Sequence, residues 1–187
     1  MQVALIADSH IPTRADSIPE TFRDRIAAAD HVIHAGDFET AETLAEVRRL
    51  AEGLTAVHGN ADPGSIALPS VASLEIDAVN IVVTHGNTNH VQAAVETHGS
   101  VMSESDWQAA IADTARARTR AWDSDGPLIG VGGHTHEVVD TRFEDVRLLN
   151  PGSVTGAAPA ERATMQTLTV DGASVDVSLH EAQSPRR

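Results

Sequence analysis

Val3-Ala4-Leu5-Ile6-Ala7-Asp8-Ser9-His10 decides how this chain is read. An apolar run without polar alternation is the pattern of a strand covered on both faces, and this one stops abruptly on Asp-x-His. Ser17-Ile18-Pro19-Glu20 then reads as a capping box with proline in the first helical turn, and Phe22, Ile26 and Ala29 follow at helical spacing. His31 to Ala35 is a second buried strand, ending at Gly36-Asp37. Thr40 is placed to cap the next helix, whose apolar stripe is Leu44, Val47 and Leu50. Arg48 and Arg49 suit its last turn, and Gly53 stops it. Leu54 to Val57 is a third strand, ending at His58-Gly59-Asn60. A β-α-β-α-β order calls for a parallel sheet with right-handed crossovers.

The second half has a different rhythm. Val71 to Ile76 and Asn80 to Thr84 form a strand pair ending at His85-Gly86. Residues 87 to 104 lack periodicity and read as a loop. Ser105 can cap a helix carrying Trp107, Ile111, Ala115, Arg118 and Trp122, which Asp123-Ser124-Asp125-Gly126-Pro127 breaks. Leu128 to Val131 leads into Gly132-Gly133-His134-Thr135-His136. Two hairpins follow. Val138 to Phe143 and Val146 to Leu149 flank Glu144-Asp145. Thr164 to Val170 and Ala173 to Leu179 flank Asp171-Gly172, a type I′ signal. The expected organisation is α/β, one domain over residues 1–182, with residues 183–187 as a frayed tail.

Composition narrows the chemistry. With 187 residues and 41% hydrophobic content the chain can build one core. It has no cysteine, which excludes disulfides, thiolate metal sites and thiol nucleophiles. No apolar run approaches the roughly 18 residues of a membrane span, and Val3 to Ala7 is too short for a leader, so a cytoplasmic protein without a membrane partner is expected. Acidic residues number 27 against 13 basic ones, all arginine, for a net charge of −14. That balance disfavours nucleic acid as a partner. It also suits a halophilic protein, whose self-repulsion salt would screen, so melting temperature should rise with KCl.

The polar residues that carry chemistry sit where strands end. Asp8 and His10 follow the first strand, Asp37 the second and Asn60 the third. His85, and then His134 with His136, follow two later ones. Ligands of α/β sheets bind at the carboxyl ends of strands, so these side chains can converge. Two aspartates, four histidines and one asparagine, with no sulfur, suit divalent transition metals better than calcium or magnesium. Seven donors exceed one tetrahedral ion. Two ions about 3.5–4 Å apart, sharing a carboxylate, would use them all.

These motifs resemble the calcineurin-like metallophosphoesterase superfamily, in particular its small bacterial and archaeal phosphodiesterases. The family order matches at Asp8-Ser9-His10, Gly36-Asp37, Gly59-Asn60, His85-Gly86 and Gly133-His134-Thr135-His136. Asn150-Pro151-Gly152-Ser153 is also typical. The resemblance implies a four-layer α-β-β-α sandwich. It implies two divalent ions, with manganese favoured over nickel, cobalt, iron or zinc. Asp8, His10 and His136 would hold one ion, Asn60, His85 and His134 the other, and Asp37 would bridge them, making Asp37, Asn60 and His85 central to catalysis. It implies hydrolysis of a small-molecule phosphodiester by water activated between the ions.

Two positions depart from the family pattern. Ala61 stands where many members carry a histidine that protonates the leaving group, and Asn87 stands where a second histidine often follows His-Gly; His90 is a nearby substitute. The alternatives are a phosphomonoesterase, a nuclease that the charge disfavours, and an inactive scaffold like the retromer subunit of eukaryotes. A homo-oligomer is left open. Arg14 could reach a substrate phosphate, although a surface charge is the plainer role. His31, His34, Trp107 and Trp122 read as packing residues, and Arg116, Arg118 and Arg120 as a solvated helix face paired with acids.

Overall fold

The computed structural model describes residues 1–88, 103–122 and 125–184. Two mixed five-stranded sheets lie between helices. The first half supplies β1 (Gln2–Ile6), α1 (Glu20–Ala28), β2 (His31–His34), α2 (Ala41–Leu50) and β3 (Leu54–Ala56). β1, β2 and β3 pair in parallel, as the β-α-β-α-β reading requires. β4 (Val71–Ile76) and β5 (Val79–Thr84) open the second sheet. α3 (Glu104–Thr119), β6 (Leu128–Val131), β7 (Val138–Phe143) and β8 (Val146–Pro151) follow. The chain then returns to the first sheet with β9 (Ala163–Asp171) and β10 (Ser174–Ala182). The strand orders are β10-β9-β1-β2-β3 and β4-β5-β6-β8-β7.

Alternation along β1 explains the layers. Val3, Leu5 and Ala7 point between the sheets, where they pack with Ile81, Val83, Ile129, Val131 and Leu149 of the second sheet. Ala4 and Ile6 point outward under Phe22 and Ile26 of α1 and Leu44 and Val47 of α2. On the far side, Trp107, Ile111 and Ala115 of α3 cover Val82, Val146 and Leu148. The result is the expected four-layer α-β-β-α sandwich. Gly130 of β6 lets α3 come close: a Cβ there would lie 2.5 Å from the Ile111 Cγ2.

Several local expectations shift. The capping box at Ser17–Glu20 does not form. Pro19 is the N-cap, its carbonyl accepting from Phe22 and Arg23, and no side chain caps α1. Ser103, not Ser105, caps α3, its hydroxyl accepting from the Asp106 amide. The last hairpin turns at Gly172-Ala173, one residue later than expected. Only Gly172 has positive φ there, so the turn is not type I′, which needs two such residues. Most of the loop read over 87–104, His90 with it, lies outside the described residues, as do Asp123, Ser124 and residues 185–187 of the tail. Among the described residues, no helix is long and apolar enough to cross a membrane.

Candidate metal centre

Every donor singled out in the sequence follows the carboxyl end of a strand. β1 delivers Asp8 and His10, β2 Asp37, β3 Asn60, β5 His85, and β6 His134 and His136. Backbone bonds lock these loops together. Asp8 N donates to Gly36 O at 3.0 Å, His10 N to Asp37 O at 3.1 Å and Gly133 N to His85 O at 3.0 Å. The loops are also contorted. Asp8, His10, Asp37, His134 and His136 all have φ between 47° and 72°, the left-handed region that costs a side chain energy. Gly59 permits the closest approach: a Cβ there would lie 2.1 Å from Asp37 Oδ1.

The donor atoms converge as two groups, Asp8–His10–His136 and Asp8–Asp37–His85. His10 Nε2 lies 3.1 Å from His136 Nε2, and His136 Nε2 lies 3.5 Å from Asp8 Oδ1. Asp37 Oδ2 stands 3.4 Å from both His10 Nε2 and His85 Nε2. Asn60 Oδ1 lies 3.0 Å from His85 Nε2 and 2.9 Å from His134 Nδ1. Asp8, His10, Asp37, His85 and His136 are buried on the floor, whereas Asn60 and His134 form its open side. One detail differs from the division of ligands implied by the resemblance: Asp8 stands in both groups.

The histidine tautomers make this a place for cations. His10 Nδ1 is 2.8 Å from the Glu39 carboxylate, His85 Nδ1 2.7 Å from Ala35 O and His136 Nδ1 2.8 Å from Ala157 O. Each Nδ1 faces an obligate acceptor and must carry a proton, so each ring in its neutral form turns a bare Nε2 inward, and His85 must first give up the second proton that Asp37 and Asp8 favour on it. Two lone pairs 3.1 Å apart, ringed by carboxylates, repel unless a cation lies between them. Atoms about 2.1 Å from one ion stand roughly 3–3.4 Å from each other, which is the spacing found here. The residues present therefore fit divalent ions.

Burial and mutual charge set the protonation of the floor. Burial drives Asp8 up to about 7, against the charge of His85 and with that of Asp37. Asp37 falls to about 2, because the hydrogen bond and charge of His85 outweigh its burial. His85 rises to about 9; burial opposes this and loses to Asp37 and Asp8. His136 falls to about 4 and His34 to about 3, both chiefly through burial. Linkage then gives the ion-free protein a stability optimum. Below pH 6.5 the unfolded chain binds protons that folded His34 and His136 refuse, so stability rises with pH, with Asp8 partly opposing. From 6.5 to about 9 folded His85 keeps a proton that the unfolded chain gives up, so stability falls as pH rises. Chelator-treated protein should therefore melt highest near pH 6.5 and lose about 5 °C by pH 9. Added divalent ions should flatten that decline. Scanning calorimetry across the series checks it, and a melting temperature that climbs through this window would overturn it.

Three supports were not assigned in the sequence. Asp62 is buried, and its carboxylate accepts from the amides of Asp37, Phe38, Glu39 and Gly59 at 2.7–3.0 Å. Glu39 orients His10. His34, expected only to pack, stacks on Phe38 with ring centroids 3.6 Å apart. It accepts from Gly36 N through Nδ1, which leaves Nε2–H to donate to Ser9 Oγ at 2.7 Å. The one sequence signal for Asp62 is an acid three residues after Gly59, within reach of a side-chain turn. Trp107 packs as expected and also donates to Gly133 O at 3.0 Å. Asn150 donates to Gly133 O, and Ser153 to Asp8 O, tying the Asn-Pro-Gly-Ser segment to the ligand loops.

Comparison with known proteins gives the same picture over nearly the whole chain. Residues 1–173 match the model of the calcineurin-like phosphoesterase superfamily domain. A probable metallophosphoesterase of Methanothermobacter thermautotrophicus is 29% identical over 186 residues, covering 99% of this chain and 95% of that protein. A phosphodiesterase of Methanocaldococcus jannaschii is 26% identical, covering 83% of this chain and 86% of that one. The fold matches crystalline Vps29 of Chaetomium thermophilum with a TM-score of 0.71 at 20% identity, covering 98% and 99% of the two chains. The chain belongs to the calcineurin-like phosphoesterase superfamily.

Proposed function

We propose that this protein hydrolyses phosphodiester bonds of small molecules with two divalent cations held by Asp8, His10, Asp37, Asn60, His85, His134 and His136. The observation that carries the reading is the Asp37 carboxylate, whose Oδ2 is equidistant from one histidine of each donor group. The cations, when bound, supply an acidified water as nucleophile and positive charge for the phosphoryl oxygens. The chain's own residues do the rest. Asp8 and Asp37 offset only part of the four positive charges, so the floor stays cationic inside an anionic protein and draws phosphate esters locally. Strained loops, braced by Asp62, Glu39 and His34, hold the donors ready before substrate arrives, which avoids reorganisation during reaction.

Proton supply to the leaving group is weak, and this favours diesters with acidic alcohols. Ala61 offers no side-chain acid; its amide instead donates to Asp37 Oδ1 at 2.8 Å. His134, on the open side, is pulled below the ordinary imidazole range by burial and by the charge of His85, so it is neutral at pH 7 and holds no spare proton. The test is hydrolysis of bis(p-nitrophenyl) phosphate against p-nitrophenyl phosphate. Protein stripped of metal would be reloaded in turn with manganese, nickel, cobalt, zinc or magnesium, in molar KCl. Diester cleavage that depends on the metal, and that Asn60→Ala and His85→Ala lose, is the expected result. No turnover with two ions bound would favour the inactive scaffold, and preference for the monoester would overturn the diester reading.

A further inference from the structure

Arg14, like Arg118, is held by a hydrogen bond outside the ion pairs that engage other arginines of this acidic chain. Arg23 pairs with Glu46, Arg116 with Glu144 and Asp145, Arg147 with Asp140, and Arg162 with Glu181. Arg14 takes part in none of the ion pairs among the described residues. Its Nη1 donates instead to the Ala158 carbonyl at 3.1 Å. The preceding carbonyl, Ala157 O, is the one that orients His136. On its other side, the amides of Arg14 and Ala15 both donate to His10 O, folding the loop back over that histidine. The residue thus joins the supports of two candidate ligands, its guanidinium on Ala158 O and its amide on His10 O, and its charge reaches both Asp8 and His136.

Depth decides what it can touch. Asp8, His10 and His136 lie on the buried floor, whereas Arg14 is exposed at the rim. A phosphoryl group bound on the floor would leave the guanidinium beside whatever projects from it. A planar fork with donors not engaged by a carboxylate takes a pair of anionic oxygens. We propose that Arg14 anchors a second anionic group of the substrate, a carboxylate or phosphate carried on the arm next to the phosphoryl group held at the centre. This rests on the reading that the centre binds a phosphoryl group. It narrows the substrate class to phosphodiesters that carry a second anionic group on the neighbouring arm.

The test reads binding, so it does not depend on turnover. Phosphonoacetate carries a phosphonate and a carboxylate, and methylphosphonate carries the phosphonate alone. Titration calorimetry on the manganese-loaded protein should show phosphonoacetate bound about tenfold more tightly. In Arg14→Gln, whose amide can still donate to Ala158 O, that ratio should collapse to about one. Arg162→Gln removes the same charge from a guanidinium turned to Glu181 and should keep the tenfold ratio. A ratio near one in the unaltered protein overturns the inference, as does a ratio that survives Arg14→Gln or is lost in Arg162→Gln. Equal weakening of both probes by Arg14→Gln also overturns it, since Arg14 would then contact the central phosphoryl group itself. Failure of either probe to bind at all would overturn the phosphoryl-binding reading together with this one, whereas binding without discrimination overturns this one alone.

Discussion

On the proposed two-ion reading, Asp37→Asn is expected to lower kcat/KM for a diester at least about a hundredfold and to reduce tightly bound metal from two ions per chain to one. Asp37 Oδ2 stands 3.4 Å from His10 and from His85, so one oxygen serves both halves of the centre. Its Oδ1 accepts from Ala61 N at 2.8 Å, a bond that the asparagine oxygen can keep. The substitution therefore removes charge while leaving the turn in place. Losing one member of a buried charged group costs roughly 3–5 kcal/mol, which corresponds to about a hundredfold to several thousandfold in rate. Elemental analysis after dialysis, alongside steady-state kinetics, checks both parts. Activity within tenfold of the unaltered protein, with two ions still bound, would show that Asp37 does not bridge.

Asp62→Ala should be the most destabilising single change at this end of the molecule. Its carboxylate is the acceptor for the amides of Asp37, Phe38, Glu39 and Gly59, and all but Glu39 N are buried. Alanine leaves these donors without a partner where water cannot replace it, at about 1–3 kcal/mol for each lost acceptor, partly relieved by relaxation. A net loss of about 4 kcal/mol would lower the melting temperature by roughly 10 °C in a chain of this size. Two left-handed residues, Asp37 and Glu39, depend on the same carboxylate, so metal affinity should fall as well. Asp62→Asn keeps one acceptor oxygen and should recover part of the loss. A drop below about 3 °C for the alanine variant, read by calorimetry, would mean that the turn holds itself.

Much of the fold was legible because burial on both faces writes itself into composition. Val3 to Ala7 carries no polar residue, since one face meets the other sheet and the opposite face meets α1 and α2. Strand existence and parallel order followed, and so did the seven donors at strand ends. Helix starts and turns were less legible. Ser17, Ser103 and Ser105 are chemically equivalent as caps, and the choice among them depends on where the chain must enter the helix. The Asp171-Gly172 signal slipped by one residue because the β9–β10 ladder runs one pair further, to Asp171 opposite Ser174.

Residue types and their spacing establish the chemistry on offer: oxygen and nitrogen donors without sulfur, each placed where a parallel strand ends. How they combine depends on the packing of the two sheets. That packing brings the carboxyl ends of two separate sheets to one edge and puts Asp8 in both donor groups. It turns the Nε2 atoms of His10, His85 and His136 inward by engaging each Nδ1 with Glu39, Ala35 or Ala157. It makes Asp62 a brace and leaves Arg14 at the rim. The reason is physical. A side chain's type is local, but its protonation and its partners are set by burial and by neighbours far away in the chain, as between Asp8 and His136, and those exist only once the two sheets have packed.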